Sequence, residues 1–125
     1  MGLIVQATTI TGNIIEGARW ELKTLYPMQE GQLLSLTFPT NDESVINYLN
    51  RIKAVDCVVD KPNENEYGVS VSCVIKRIRH MIDTQTGSIE SMALATPGTR
   101  LAELIMVYLI DPKKCDPKFV KTIRS

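Results

Sequence analysis

Arg77 and Arg79 are the side chains whose type and spacing could do chemistry together. They stand two residues apart in the run KRIRH, with Lys76 before them and His80 after. Along a strand, residues i and i+2 project from one face, so the spacing predicts two guanidinium forks side by side, able to hold a phosphate bidentately. Lys76, Arg77 and Arg79 are therefore the predicted ligand- or phosphate-binding residues. The same residues also suit a solvated rim whose like charges keep an edge strand from pairing with a neighbour. His80 is the only histidine, which excludes any mechanism with two imidazoles. No Ser or Cys is placed by sequence to be its nucleophile, so it reads as a surface histidine in a basic stretch.

The other reactive types are scattered. Cys57, Cys73 and Cys115 are too few and too far apart for a disulfide framework, and no CxxC or Cys/His cluster has zinc-ligand spacing, so no metal site or cofactor is predicted. Only Asp42 and Glu43 are adjacent carboxylates, and neighbours on a helix diverge, which leaves no acid/base pair. The phosphate-loop, dinucleotide, zinc-protease and nucleophile-elbow motifs do not occur. The chain is predicted not to be an enzyme.

With 14 basic and 14 acidic side chains in 125 residues, no field of the whole molecule draws it to nucleic acid or to a membrane. A second basic cluster, Lys113, Lys114, Lys118, Lys121 and Arg124, reads as a solvated helix face. Aromatics make up 6% of the chain, and Trp20 and Phe38 fall on the apolar side of their alternations, where core packing competes with base stacking. The start MGLIVQATTITG has neither the basic nor the long apolar region of a signal peptide, and the apolar stretch from Leu101 to Ile110 is about half a membrane span. A reducing, cytoplasmic setting without membrane insertion is expected.

The elements that must position these residues are mostly short strands. Leu3 to Ile10 is a β-branched and apolar run. Trp20 and Leu22 alternate with charged neighbours, and Leu34, Leu36 and Phe38 alternate with Ser35 and Thr37 until Pro39. Asn41 or Asp42 can cap a short helix carrying Val45, Ile46 and Leu49 on one stripe. Ile52 to Val59 and Val69 to Ile75 read as strands around the polar KPNENEYG turn. Trp20, Leu22, Leu36, Phe38, Val58, Val69 and Val71 are the predicted core. DTQTGS is a loop, the stretch from Ser88 to Ala95 is ambiguous, and Pro97 suits the first turn of a helix beginning near Thr96. Asp116 and Pro117 open a short terminal helix with Phe119, Val120 and Ile123. The fold class expected is mainly β: a small antiparallel barrel over 1–83, with a short inserted helix, then loop and one or two C-terminal helices over 84–125, all in a single domain.

In the helix before Asp111, Leu101, Leu104, Ile105 and Tyr108 make one stripe, while Met106, Val107 and Leu109 carry apolar character further round. Met106, Val107 and Leu109 are the predicted partner interface, through which the chain self-associates or binds a protein. The competing reading is that the terminal segment folds back over that second face.

The order of segments GNIIEGARWELK, YPMQEGQLLSLTF, IKAVDCVVD and EYGVSV over residues 12–72 resembles a PilZ domain, the small barrel of bacterial proteins that respond to cyclic di-GMP. The resemblance implies a regulatory or adaptor module. In the D/N-x-S-x-x-G turn of that family only Gly17 matches, while Gly12 and Ile14 replace its polar residues. No R-x-x-x-R pair occurs among the eleven residues before Gly12. Either this is a member that binds cyclic di-GMP weakly or not at all and acts through protein contacts, or the arginines lie upstream in a longer parent chain. The alternative reading is a phage- or plasmid-type barrel that binds single-stranded nucleic acid or serves as a structural subunit.

Overall fold

Leu34, Leu36 and Phe38 are buried and their neighbours are not, so the alternation seen in the sequence becomes a strand with one face in the core. The computed structural model describes residues 3–6, 11–16, 19–24 and 29–125; Gly17, the family-motif glycine, lies outside the described residues. In chain order the elements are β1 (Leu3–Gln6), β2 (Thr11–Glu16), β3 (Arg19–Thr24), β4 (Leu33–Thr40), α1 (Glu43–Ile52), β5 (Cys57–Asn63), β6 (Glu66–Ile82), β7 (Ile89–Pro97), α2 (Arg100–Ile110), a 3-10 turn (Pro112–Lys114) and α3 (Pro117–Arg124).

The described strands form one seven-stranded, mainly antiparallel sheet in the order β1-β4-β6-β7-β3-β2, with β5 also on β6; β1 runs parallel to β4. β6 is the axis. Residues 67–74 pair with β4 on one edge, while the other edge takes β5 along residues 66–71 and then β7 along 73–82. Seventeen residues of one strand thus serve two sheet halves. Among the described residues the sheet stays open, with β1 and β2 at its ends.

Three helices cover one face. Val69, Val71, Cys73 and Ile75 of β6 meet Leu22, Leu36, Ala93 and Ala95 of neighbouring strands beneath Ala102, Ile105 and Met106 of α2. The small side chains of Ala93 and Ala95 leave room for the helix, whose contacts run to β6 and β7. Of the two caps the sequence offers for α1, Asn41 and Asp42, it is the Asp42 carboxylate that accepts from Ser44 N–H (2.9 Å), and Asp116 caps α3 through Lys118 N–H (2.9 Å). Tyr48 of α1 meets Phe119 of α3 edge-on at 5.8 Å.

Three expectations are corrected here. Val58 is 47% exposed, and Cys57 beside it is buried. The run CVV is apolar on both phases, and pairing with β6, not pattern, selects the inward one. The sheet does not end near residue 83: the ambiguous stretch becomes β7, paired on both sides. Pro97 closes that strand instead of opening a helix, and α2 begins at a Thr99 cap whose hydroxyl accepts from Ala102 N–H (3.1 Å). Thr99 also donates to the Asp56 carboxylate, which ties the start of α2 to the entry of β5.

Candidate functional site

The basic run lies on the far half of β6, where the strand changes its relation to the sheet. Ile75 pairs with Ala95 but Arg77 pairs with Leu94, so Lys76 is the extra residue of a β-bulge. The bulge swaps the faces: Ile75 and Ile78 lie with the inward Ala95 and Ala93, whereas Arg77 and Arg79 lie with Leu94 and Met92 on the opposite face. The two arginines do share one face, as their spacing predicts. They line a shallow cleft of about 140 Å³ with Glu21, Met92, Ala93 and Leu94. Lys76 is exposed and does not line it.

The cleft is not a bare pair of forks. Glu21, next to Leu94 across the β3–β7 pairing, accepts from Arg79 at 2.9 Å, leaving Arg77 as the cleft's arginine without an ion-pair partner among the described residues. An exposed pair of this kind contributes about 0–1 kcal/mol, so a stronger anion can displace Glu21. An aliphatic floor with one free and one occupied guanidinium suits a single carboxylate or phosphate carried on an apolar body. Glu21 was not singled out from sequence, although its place opposite Trp20 and Leu22 in the β3 alternation puts it on this face.

Beyond the cleft, β6 and β7 continue as a hairpin. His80 is exposed, as expected, and its Nδ1 meets Ser91 Oγ at 2.9 Å. The Asp83 carboxylate accepts from Gln85 N–H (2.9 Å) and Thr86 N–H (3.4 Å), and these bonds hold its pKa below the usual carboxylate value. Gly87, at φ 71°, closes the loop in a backbone region that other residues rarely adopt. On this ordered support Met81, Ile82 and Ile89 are 51%, 69% and 68% exposed, with Ile82 directly opposite Ile89. The sequence signal for this tip is an apolar residue on each side of DTQTGS.

The predicted helix interface is corrected at Met106. Met106 is fully buried, its sulfur accepting from the Trp20 indole N–H, while Val107 and Leu109 are partly buried against the core. α2 is apolar over a wide arc because it packs on the sheet and also against the C-terminal segment, where Cys115 Sγ donates to Leu104 C=O (3.7 Å) and Ile123 is buried. The three helices share one polar node: Tyr108 donates to Asp42 (2.6 Å) and Arg124 donates to the Tyr108 oxygen (3.3 Å). Burial raises the Asp42 pKa, but the bonds from Tyr108 and from the Ser44 and Val45 N–H groups, with the Arg124 charge, outweigh it and hold the carboxyl low. Burial and the Asp42 contact raise Tyr108.

All three cysteines are buried and unpaired. Burial, with the Asp56 charge second, pushes the Cys57 thiol up to about 12, and burial does the same to Cys73. Among the described residues no group of three His, Cys, Asp or Glu side chains could hold a metal ion, and no helix is long and apolar enough to cross a membrane. Comparison with protein-family models, with curated proteins and with solved structures finds no match.

Proposed function

We propose that this chain is a non-catalytic regulatory or adaptor module that acts through protein contacts, on a PilZ-like barrel that binds cyclic di-GMP weakly or not at all. The observation that carries the reading is the ordered β6–β7 hairpin, which holds Met81, Ile82 and Ile89 in water beside the arginine cleft. Apolar side chains exposed together on a rigid support are characteristic of contact surfaces. One long strand, bulged at Lys76 and shared by two sheet halves, supports the barrel-like curl the resemblance implies. The apolar Ile14 and the lack of an R-x-x-x-R pair among the eleven residues before Gly12 support weak binding of a dinucleotide. The single-stranded nucleic acid reading has less support, because Trp20 packs at a tilt against the buried Phe38 (ring centroids 5.6 Å apart) and the pair offers no platform for bases. Isothermal titration of the protein against cyclic di-GMP and against a single-stranded oligonucleotide tests the reading. No binding in the low micromolar range is expected for either, and binding that tight overturns it.

A further inference from the structure

Residues 76–82 have a backbone as well as a set of side chains. β4 leaves β6 at the pairing of Leu33 with Val74, and its last bonds join Gly31 and Gln32 to Ile75. Beyond that point β6 pairs with β7 alone, so its other edge is open among the described residues. Asp83 N–H bonds back to Ser88 C=O (2.9 Å), and backbone groups alternate in direction along a strand. The N–H and C=O groups of Ile78, His80 and Ile82 therefore point away from β7, into the open edge.

We propose that this edge takes an acidic, extended peptide segment of a partner protein as an added strand. Unpaired backbone groups in a row are the template for strand addition, and the side chains select the guest. On one face the edge presents Arg77, Arg79 and Met81; on the other it presents Ile78, His80 and Ile82. A guest that alternates carboxylate and aliphatic residues sets its carboxylates against the arginines and its aliphatic side chains against the isoleucines. A second copy of this chain is the poorer guest, because antiparallel pairing of KRIRHMI with itself brings arginines close to arginines. This inference rests on the protein-contact reading and names the partner's chemistry.

The probe is a fluorescent heptapeptide of alternating valine and glutamate, followed by anisotropy with the intact protein. Micromolar binding is expected, with at least a tenfold loss for Arg77→Glu and no binding of the valine–lysine counterpart. N-methylation of the probe at every residue removes its backbone donors without touching its charge, and is expected to abolish binding. His80→Pro removes an outward N–H and should abolish binding as well, whereas His80→Ala gives up a side chain on that face but keeps the N–H and should retain measurable micromolar binding. If His80→Pro disturbs the hairpin, the N-methylated probe still decides. Absence of binding at millimolar probe overturns the inference, as does equal binding of the N-methylated form. A dimer in sedimentation that His80→Pro dissolves also overturns it, by assigning the edge to a second copy. None of these outcomes touches the protein-contact reading, which fails on tight nucleotide binding.

Discussion

One strand runs through two environments. Along residues 69–75 of β6 every second side chain (Val69, Val71, Cys73, Ile75) is fully buried beneath the helices, whereas along 76–82 all but Ile78 are exposed. Backbone pairing continues through both halves. What changes is what covers the inward face: α2 lies on the first half and ends its cover near Ala93 and Ala95. Strand formation and core formation are therefore separate achievements in this molecule, and the second half keeps its order through the β7 ladder and the Asp83 loop.

The sharpest test of that contrast is chemical. Raising Cys57 and Cys73 to about 12 lowers their thiolate fraction near neutral pH roughly a thousandfold, and burial also denies access. A disulfide reagent should leave them unmodified in the native protein and label them promptly in denaturant, whereas a Met81→Cys substitution at the exposed tip should react at the rate of a free thiol. Prompt native labelling of the wild-type protein would show that the covered half opens readily.

Next comes Trp20→Ala, which removes the ring held between Phe38 and Met106. Chemical denaturation should show a loss of about 3–5 kcal/mol. A melt like the parent's would mean that Trp20 does not pack between Phe38 and Met106.

A smaller effect is expected at the polar node. Tyr108→Phe should cost about 1 kcal/mol near neutral pH. Because the folded pKa of Asp42 is lowered, its contribution is complete above the ordinary carboxylate range and is lost as pH falls through the lowered value. Because that of Tyr108 is raised, its contribution is complete below the ordinary phenol range and is lost as pH rises through the raised value. The variant should flatten both limbs of the stability profile; unchanged limbs would dissolve the node.

The smallest effect belongs to the hairpin tip. Replacing Ile82 and Ile89 together by Ser should leave the unfolding free energy within about 0.5 kcal/mol for each site, since neither fills a core position. A loss of several times that size would show that the tip is packed, and would remove the surface on which the functional proposal stands.

By itself the sequence determined whatever depends on near neighbours along the chain. The alternation of Leu34, Leu36 and Phe38, a cap at Asn41 or Asp42 and one at Asp116, the loop at DTQTGS and the shared face of Arg77 and Arg79 all follow from local geometry, in which the period of the backbone decides where a side chain points. Only the tertiary structure decided what depends on distant partners. Cys57 turns inward and Val58 outward because β6 sets the register of a run that is apolar in both phases. Ala93 and Ala95 make a strand because β3 and β6 pair on either side of them and α2 needs their small size. Met106 is core and not interface because an evenly apolar helix does not state which neighbours will surround it. Among the described residues β6 has an open edge because β4 begins only at Leu33, opposite Val74, a fact about the length of one strand that no pattern within the other encodes.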